Sequence, residues 1–430
     1  MAPSTIVPEG LDFGVQNIPF GVISTRSDPT PRPASVLGNH AIDLRAMAQA
    51  GLFNGPLFTN QLATQVFSHP TLNAFMGLTR PYWKDARNTI QALLTGADPR
   101  LKDESELRKA ILIPLDQTQN HLPAFIGDYT DFYASKEHAH NAGVILRGPD
   151  NAMQPNWHHL PVAYHGRASS VVVSGTPIRR PNGLVGAMGS APRYTASMKL
   201  DVELEMGFFI GGAPNALGTP VGVRDAEDRV FGFVLLNDWS ARDIQAFEYI
   251  PLGPFLGKNF GTTISPWIVT IEALDEFRRP QPVQDPVPAA YLQDADCENA
   301  CFNIDLEVHL KPSGGNELVK VVATNSKFLY WSPRQMIAHH TVNGCNLQPG
   351  DLCGTGTISG PNRGEYGSFM ETSWNGRDTF DVQDGIKRTF LEDGDEVVFY
   401  GHAAPGIGFG ECRGVILPAL PLQQKFLHIT

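Results

Sequence analysis

Glycine and proline punctuate this chain too densely for long helices to dominate it. With 42 glycines and 34 prolines among 430 residues, most uninterrupted runs have only the length of a strand. A β-rich α+β fold with many turns is therefore expected. The length exceeds one ordinary hydrophobic core and predicts two domains.

The order of the runs says where those domains divide. PFGVISTR and ASVLGNHAIDL read as short strands, the second folding back at Gly38-Asn39, a two-residue hairpin signal. Between residues 57 and 110 the pattern becomes helical. PYWKDARNTIQALLTG has Pro81 near its start, Ile90, Leu93 and Leu94 at helical spacing and Gly96 as a stop, and DESELRKAIL follows as another helix. The polar stretch DQTQN, 116 to 120, is the expected boundary, giving domains of 1–118 and 119–430. Downstream, strand patterns alternate with PNG, PGD and DGD turns. RRPQPVQDPVPA, 278 to 289, reads as an extended surface excursion within the second domain. No internal repeat is evident.

Charge narrows the ligand. A formal net charge of −11 is the wrong sign for nucleic acid or an anionic membrane, and favours a small-molecule ligand. The five cysteines, Cys297, Cys301, Cys345, Cys353 and Cys412, form no CxxC pair, which suits a reducing compartment. The N-terminus lacks a basic, apolar leader, and no run approaches the roughly 20 apolar residues of a membrane helix. A cytoplasmic protein is expected.

LDVELEMGFFI, residues 200 to 210, poses the chemical question. Extended backbone places Asp201, Glu203 and Glu205 on one face and apolar residues on the other. Beyond Glu205 that polar face turns to Gly207 and Phe209, as though entering the interior. IDLEVHL, 304 to 310, alternates in the same way, and a solvated sheet face explains such a file of acids equally well. Two further stretches set acids among aromatic and apolar residues: GDYTDFY with Asp128 and Asp131, and VLLNDWSARD with Asp238. Buried carboxylates require a cation, and oxygen-only ligands select a hard ion, Ca²⁺ or Mg²⁺, over zinc. Arg242 and Lys258, the latter in the Gly-bounded GPFLGKNFGTT, can balance excess negative charge or simply be surface residues. His138 in ASKEHAHNAG is a candidate base, and Glu371 in SFMETSWNG a carboxylate to orient it, although spacing alone does not prefer this histidine. GPFLGKN departs from a P-loop, GTGTISG from a dinucleotide fingerprint, and no GxSxG is present.

IGDYTDFYASKEHA, MQPNWHHLPVAYHGRASSVVVSGTPIRRP, LDVELEMGFF, NDWSARDIQAFEYIPLGPFLGKNFGTT, HHTVNGCNLQPGDL and GTISGP together resemble the fumarylacetoacetate hydrolase family over nearly the whole chain. The resemblance implies a small SH3-like N-terminal barrel, a large C-terminal mixed β-roll and a homodimer. It further implies hydrolysis of the carbon-carbon bond of 4-fumarylacetoacetate to fumarate and acetoacetate, the last step of tyrosine and phenylalanine catabolism. Asp131, Glu203, Glu205 and Asp238 correspond to metal ligands, with Lys258 and Thr262 at a second, Mg²⁺-type site. His138 and Glu371 correspond to the base and its partner, and Arg242, Gln245 and Lys258 to oxyanion stabilisers. Tyr133, Arg147, Tyr164, Tyr249 and Thr357 correspond to substrate contacts. Asp201 is left without a role.

Overall fold

A computed structural model describes residues 5, 10–101, 105–186, 189, 191–383 and 385–422. The expected hairpin forms between strands Arg32–Leu37 and His40–Asp43, with Gly38 at φ +57°. Phe20–Thr25 pairs on the other side, and Leu112–Pro114 and Thr118–His121 close the two edges of a five-stranded antiparallel sheet. The polar DQTQN stretch thus runs from a short helical turn, Leu115–Gln117, into an edge strand, where one side of the backbone has no partner strand to exclude water. The helix Arg80–Thr95 buries Trp83, Ala86, Ile90, Leu93 and Leu94, carries Pro81 in its first turn and stops at Gly96, φ +71°. Phe53, Phe58, Phe67 and Phe75 join it in an aromatic core that continues into Phe209, Phe231 and Ile268 of the larger part. The two parts therefore share buried apolar surface.

The larger part is built on two sheets. A mixed seven-stranded sheet runs in the spatial order Ala163–His165, Tyr129–Phe132, Leu352–Gly354, Leu204–Ile210, Val230–Asn237, Thr262–Ile264 and Val171–Val173. Its pairings are antiparallel except Tyr129–Phe132 with Leu352–Gly354 and Val171–Val173 with Thr262–Ile264. Beside it lies a sheet in the order Val319–Asn325, Asp305–Lys311, Glu396–Ala404, Cys412–Leu417 and Ile178–Arg179. The chain is accordingly a β-rich mixture of strands and short helices. Among the described residues no helix is long and apolar enough to cross a membrane.

The two alternating strands separate cleanly. In Asp305–Lys311, Asp305 is exposed and Glu307 and His309 are half-buried, so that row faces solvent. Every residue from Leu200 to Ile210 is buried. The expected single strand divides at Val202 and Glu203: Leu200–Asp201 pairs with Ser240–Ala241, while Leu204–Ile210 lies at the centre of the large sheet.

Candidate active site and metal centre

The large sheet gathers acids from three segments. Asp131 is the third residue of the strand Tyr129–Phe132, Glu203 and Glu205 enter with Leu204–Ile210, and Asp238 follows the last residue of Val230–Asn237. All four are buried, and each offers a carboxylate oxygen within 4.8 Å of the others. Gly354, opposite Asp131 and Gly207 in the ladder, makes this close approach possible. A Cβ there would lie 2.8 Å from Asp131 Oδ1 and 3.0 Å from Glu205 Oε2.

The electrostatics of the cluster call for a cation. Burial, reinforced by the neighbouring acids, pushes the Asp131 and Glu205 carboxyls well above their usual range. Burial also works to raise Glu203, but Lys258 and Arg242 overcome it and hold that carboxyl at about 2. Asp131 Oδ1 and Glu205 Oε1 are buried without a hydrogen-bond partner. Unpartnered buried oxygens on a carboxylate-only donor set fit a hard divalent ion.

Arg242 and Lys258 are not surface residues. Lys258 Nζ donates to Asp238 Oδ2 at 2.5 Å and to Glu203 Oε2. The ammonium is stabilised by these acids against its burial and has no lone pair to give a metal. Its side chain serves as a countercharge to both acids. Thr262 Oγ1 and the Tyr164 hydroxyl donate to Asp238 at 3.1 Å and 2.8 Å. Arg242 Nε donates to Asp201 Oδ2 at 2.8 Å, and its Nη1 lies 2.8 Å from Glu203 Oε1. Asp128, singled out with Asp131, is exposed and takes no part.

His138 lies in the helix Lys136–Arg147, started by the Ser135 cap. Its Nδ1 is 2.6 Å from Glu371 Oε2. Burial tends to raise the Glu371 carboxyl, yet His138 and the surrounding donors lower it overall. As an ionised acceptor, Glu371 requires Nδ1 to donate, which turns Nε2 toward Glu203, 4.0 Å from its Oε1. Asn141 Nδ2 donates to Glu371 Oε1 at 3.0 Å, while Ser359 Oγ and Ser368 Oγ donate to Oε2 at 3.0 and 2.8 Å.

Asp201 has a place after all. It accepts from the backbone N–H groups of Phe369 and Met370 at 2.8 and 3.0 Å and from Arg242. It thereby ties the short helix Phe369–Thr372, which carries Glu371, to the guanidinium beside Glu203. Sequence reasoning missed this link and missed Asn141, Ser359 and Ser368. Only Ser368 had a readable signal, the S-x-x-E spacing that caps a helix start.

A cavity of about 400 Å³ opens onto the cluster. Asp131, Glu203, Glu205, His138, Arg242, Gln245 and Lys258 line it together with Tyr133, Arg147, Tyr164, Tyr249 and Thr357. Asp238 and Thr262 instead face an adjoining cavity of about 300 Å³, with Lys258 and Tyr164 shared between the two. Gln245 Oε1 accepts from Arg242 Nη1 at 3.2 Å, and the Tyr133 ring stands edge-on to His138.

Clustered carboxylates beside an oriented imidazole, at the end of a small-molecule cavity, are the equipment of a metal-assisted hydrolase. Residues 128–417 match the family described as Fumarylacetoacetate (FAA) hydrolase C-terminal, and residues 16–123 match Fumarylacetoacetase N-terminal; the chain belongs to the fumarylacetoacetate hydrolase family. It is 50% identical to the human Fumarylacetoacetase over 418 residues, covering 96% of this chain and 98% of that protein. It is 51% identical to the Caenorhabditis elegans Fumarylacetoacetase over 417 residues, covering 96% and 98%. Its fold is similar to that of a fumarylacetoacetate hydrolase from Exiguobacterium antarcticum, with a TM-score of 0.51 at 15% identity, covering 93% of this chain and 99% of that one.

Proposed function

We propose that this chain hydrolyses 4-fumarylacetoacetate to fumarate and acetoacetate, the last step of tyrosine and phenylalanine breakdown. The observation that carries the reading is the meeting of Asp131, Glu203 and Glu205 with His138 at one cavity, with Asp238 completing the acid cluster from an adjoining cavity and Glu371 backing the imidazole. The near-full-length similarity to fumarylacetoacetases supports it.

Asp131, Glu203, Glu205 and Asp238 would hold Ca²⁺, and Asp238 with Thr262 would take part in a second, Mg²⁺-type site. A hard ion there supplies Lewis-acid stabilisation to a 1,3-diketone and to the enolate released from it. The chain's own residues do the rest. His138 Nε2 takes the proton of a water, and the resulting hydroxide attacks the carbonyl flanking the bond to be cut. Glu371 holds the ring in one tautomer and stabilises the imidazolium, which then returns its proton to the departing carbanion. Arg242, Gln245 and Lys258 face the developing oxyanion, where one well-aimed donor contributes about 3 to 4 kcal/mol. Tyr133, Arg147, Tyr164, Tyr249 and Thr357 position the substrate within the same cavity.

The N-terminal five-stranded sheet is read as an SH3-like barrel of a 1–118 domain, its edge strand Thr118–His121 running across the boundary, and the larger part, 119–430, as a β-roll. Homodimerisation is supported by the exposed apolar residues Ile250, Leu252, Phe255 and Leu256 beside the cavity. A cytoplasmic location accords with the unpaired cysteines. The test is loss of diketone absorbance on adding 4-fumarylacetoacetate, with fumarate among the products. His138→Ala should abolish it while the protein stays folded. Undiminished turnover by that variant would refute the mechanism.

A further inference from the structure

Four cations line the main cavity: Arg147, Lys199, Arg242 and Lys258. Arg242 and Lys258 are committed to Asp201, Glu203 and Asp238. Among the described residues the other two have no carboxylate partner and donate to neutral oxygens. Arg147 donates to the carbonyls of Asn151 and Ala152 at 3.1 and 2.9 Å. Lys199 Nζ donates to the backbone and side-chain oxygens of Asn375 at 3.2 and 2.9 Å. The one further acid on the wall, Asp243, is occupied by Ser197 Oγ and the Met198 N–H at 2.6 and 2.8 Å.

Asn375 is held in an uncommon way. Trp374, Asn375 and Gly376 take successive positive φ values of 49°, 59° and 90°, a region that L side chains rarely adopt. The Asn375 N–H is fixed to the Met370 carbonyl at 2.7 Å. Such backbone is found where a site demands it, and here it turns both Asn375 oxygens onto Lys199. The ammonium also lies 5.6 Å from the centre of the Phe390 ring, which packs with Ala142 and Met370. Ala142 is one turn beyond His138 on the same helix, about 6 Å along its axis. Lys199 thus stands on the wall of the cavity that His138 also lines, connected through Phe390 to the helix that carries the proposed base.

We propose that Lys199, oriented by Asn375, binds the substrate carboxylate that is not held by Arg147, a residue already placed among the substrate contacts. The inference rests on the diketo-acid reading, because 4-fumarylacetoacetate is a dianion and the cavity offers two cations without carboxylate partners. Neither Lys199 nor Asn375 was evident in the sequence.

Wild-type turnover of 4-fumarylacetoacetate tests the underlying reading separately. Given that turnover, Lys199→Met should raise KM about 10- to 100-fold, the size of one lost charge-assisted hydrogen bond, with a smaller change in kcat. Lys199→Arg should recover much of the loss, and Asn375→Ala should raise KM by a smaller factor. Two truncated diketo acids, each lacking one of the carboxylates, identify the contact. Lys199→Met should raise KM for the one that retains the bound carboxylate and leave it unchanged for the other. A KM for the full substrate within about twofold of wild type, or equal rises for both truncated acids, would overturn the proposal. Fumarate and acetoacetate binding by calorimetry gives a second readout: affinity for one product should fall in Lys199→Met, and unchanged affinity for both would count against the assignment.

Discussion

Replacing Glu371 with glutamine tests the His138–Glu371 pair with little change of shape. Glu371 Oε2 accepts from His138 Nδ1, Ser359 Oγ and Ser368 Oγ, and Oε1 accepts from Asn141. A glutamine can keep its oxygen toward the three donors, with its NH2 donating to Asn141 once that amide turns its oxygen inward. The ring then stays in place but loses the charge that stabilises its protonated form. With charge centres about 4 Å apart and an effective dielectric constant near 20, that attraction is about 4 kcal/mol. The barrier should rise by a similar amount, lowering kcat about 10³-fold, while KM and metal content change little. Steady-state loss of diketone absorbance gives the rate, and thermal unfolding with metal analysis confirms an intact protein. Activity within about threefold of wild type would show that the pair has no part in proton transfer.

Chelation should lower both activity and the unfolding midpoint, and either Ca²⁺ or Mg²⁺ should restore them; an ion present at a hundred times its Kd adds about 2.7 kcal/mol. Because the folded carboxyls of Asp131 and Glu205 lie above their ordinary values of 3.8 and 4.5, the metal-free protein loses stability as pH rises beyond those values. The calorimetric stabilisation by added ion should therefore grow from pH 4 toward neutrality, and a pH-independent gain would argue against the cluster as its source. Asp201→Asn removes a fully buried charge that holds Arg242 and the Phe369–Thr372 helix, and should cost about 3 kcal/mol in urea unfolding as well as lowering kcat. Glu227, shared by Arg80, Arg278 and Arg334, is pulled from 4.5 to about 2, its burial overcome by these guanidiniums. Its stabilisation should be complete above pH 4.5 and vanish as pH falls toward 2. Glu227→Gln should cost about 2 kcal/mol near neutrality, below the figure for a fully buried pair because solvent screens the group.

The sequence held more of the site than of its supports. The helix Arg80–Thr95 and the hairpin at Gly38 were legible because their determinants are local: a proline at the start, a glycine at the stop, apolar residues at one spacing. Local pattern failed to separate Leu204–Ile210 from Asp305–Lys311, since both alternate. Burial decided between them, and burial depends on which strands lie alongside. Acids set among apolar and aromatic neighbours, with His138 and Glu371, stood out as candidates, and the resemblance gave them roles, all but Glu371 standing within its long shared motifs. Asp201, Asn141 and Asn375 act through partners 168, 230 and 176 positions away, a distance over which spacing carries no information. Arg242 and Lys258 looked like surface charges for the same reason, as their acids lie in other strands.

The ordering of the large sheet has a consequence for biogenesis. Tyr129–Phe132 sits next to Leu352–Gly354, which in turn borders Leu204–Ile210, so the bed for the ion is finished only when a late-synthesised strand slides between two early ones. Until then a nascent chain ending before residue 352 carries every acid of the cluster, Glu203, Glu205 and Asp238 on directly paired strands, but lacks the strand that joins Asp131 to them. Ion capture is therefore a report that synthesis has passed that strand and the sheet has closed around it.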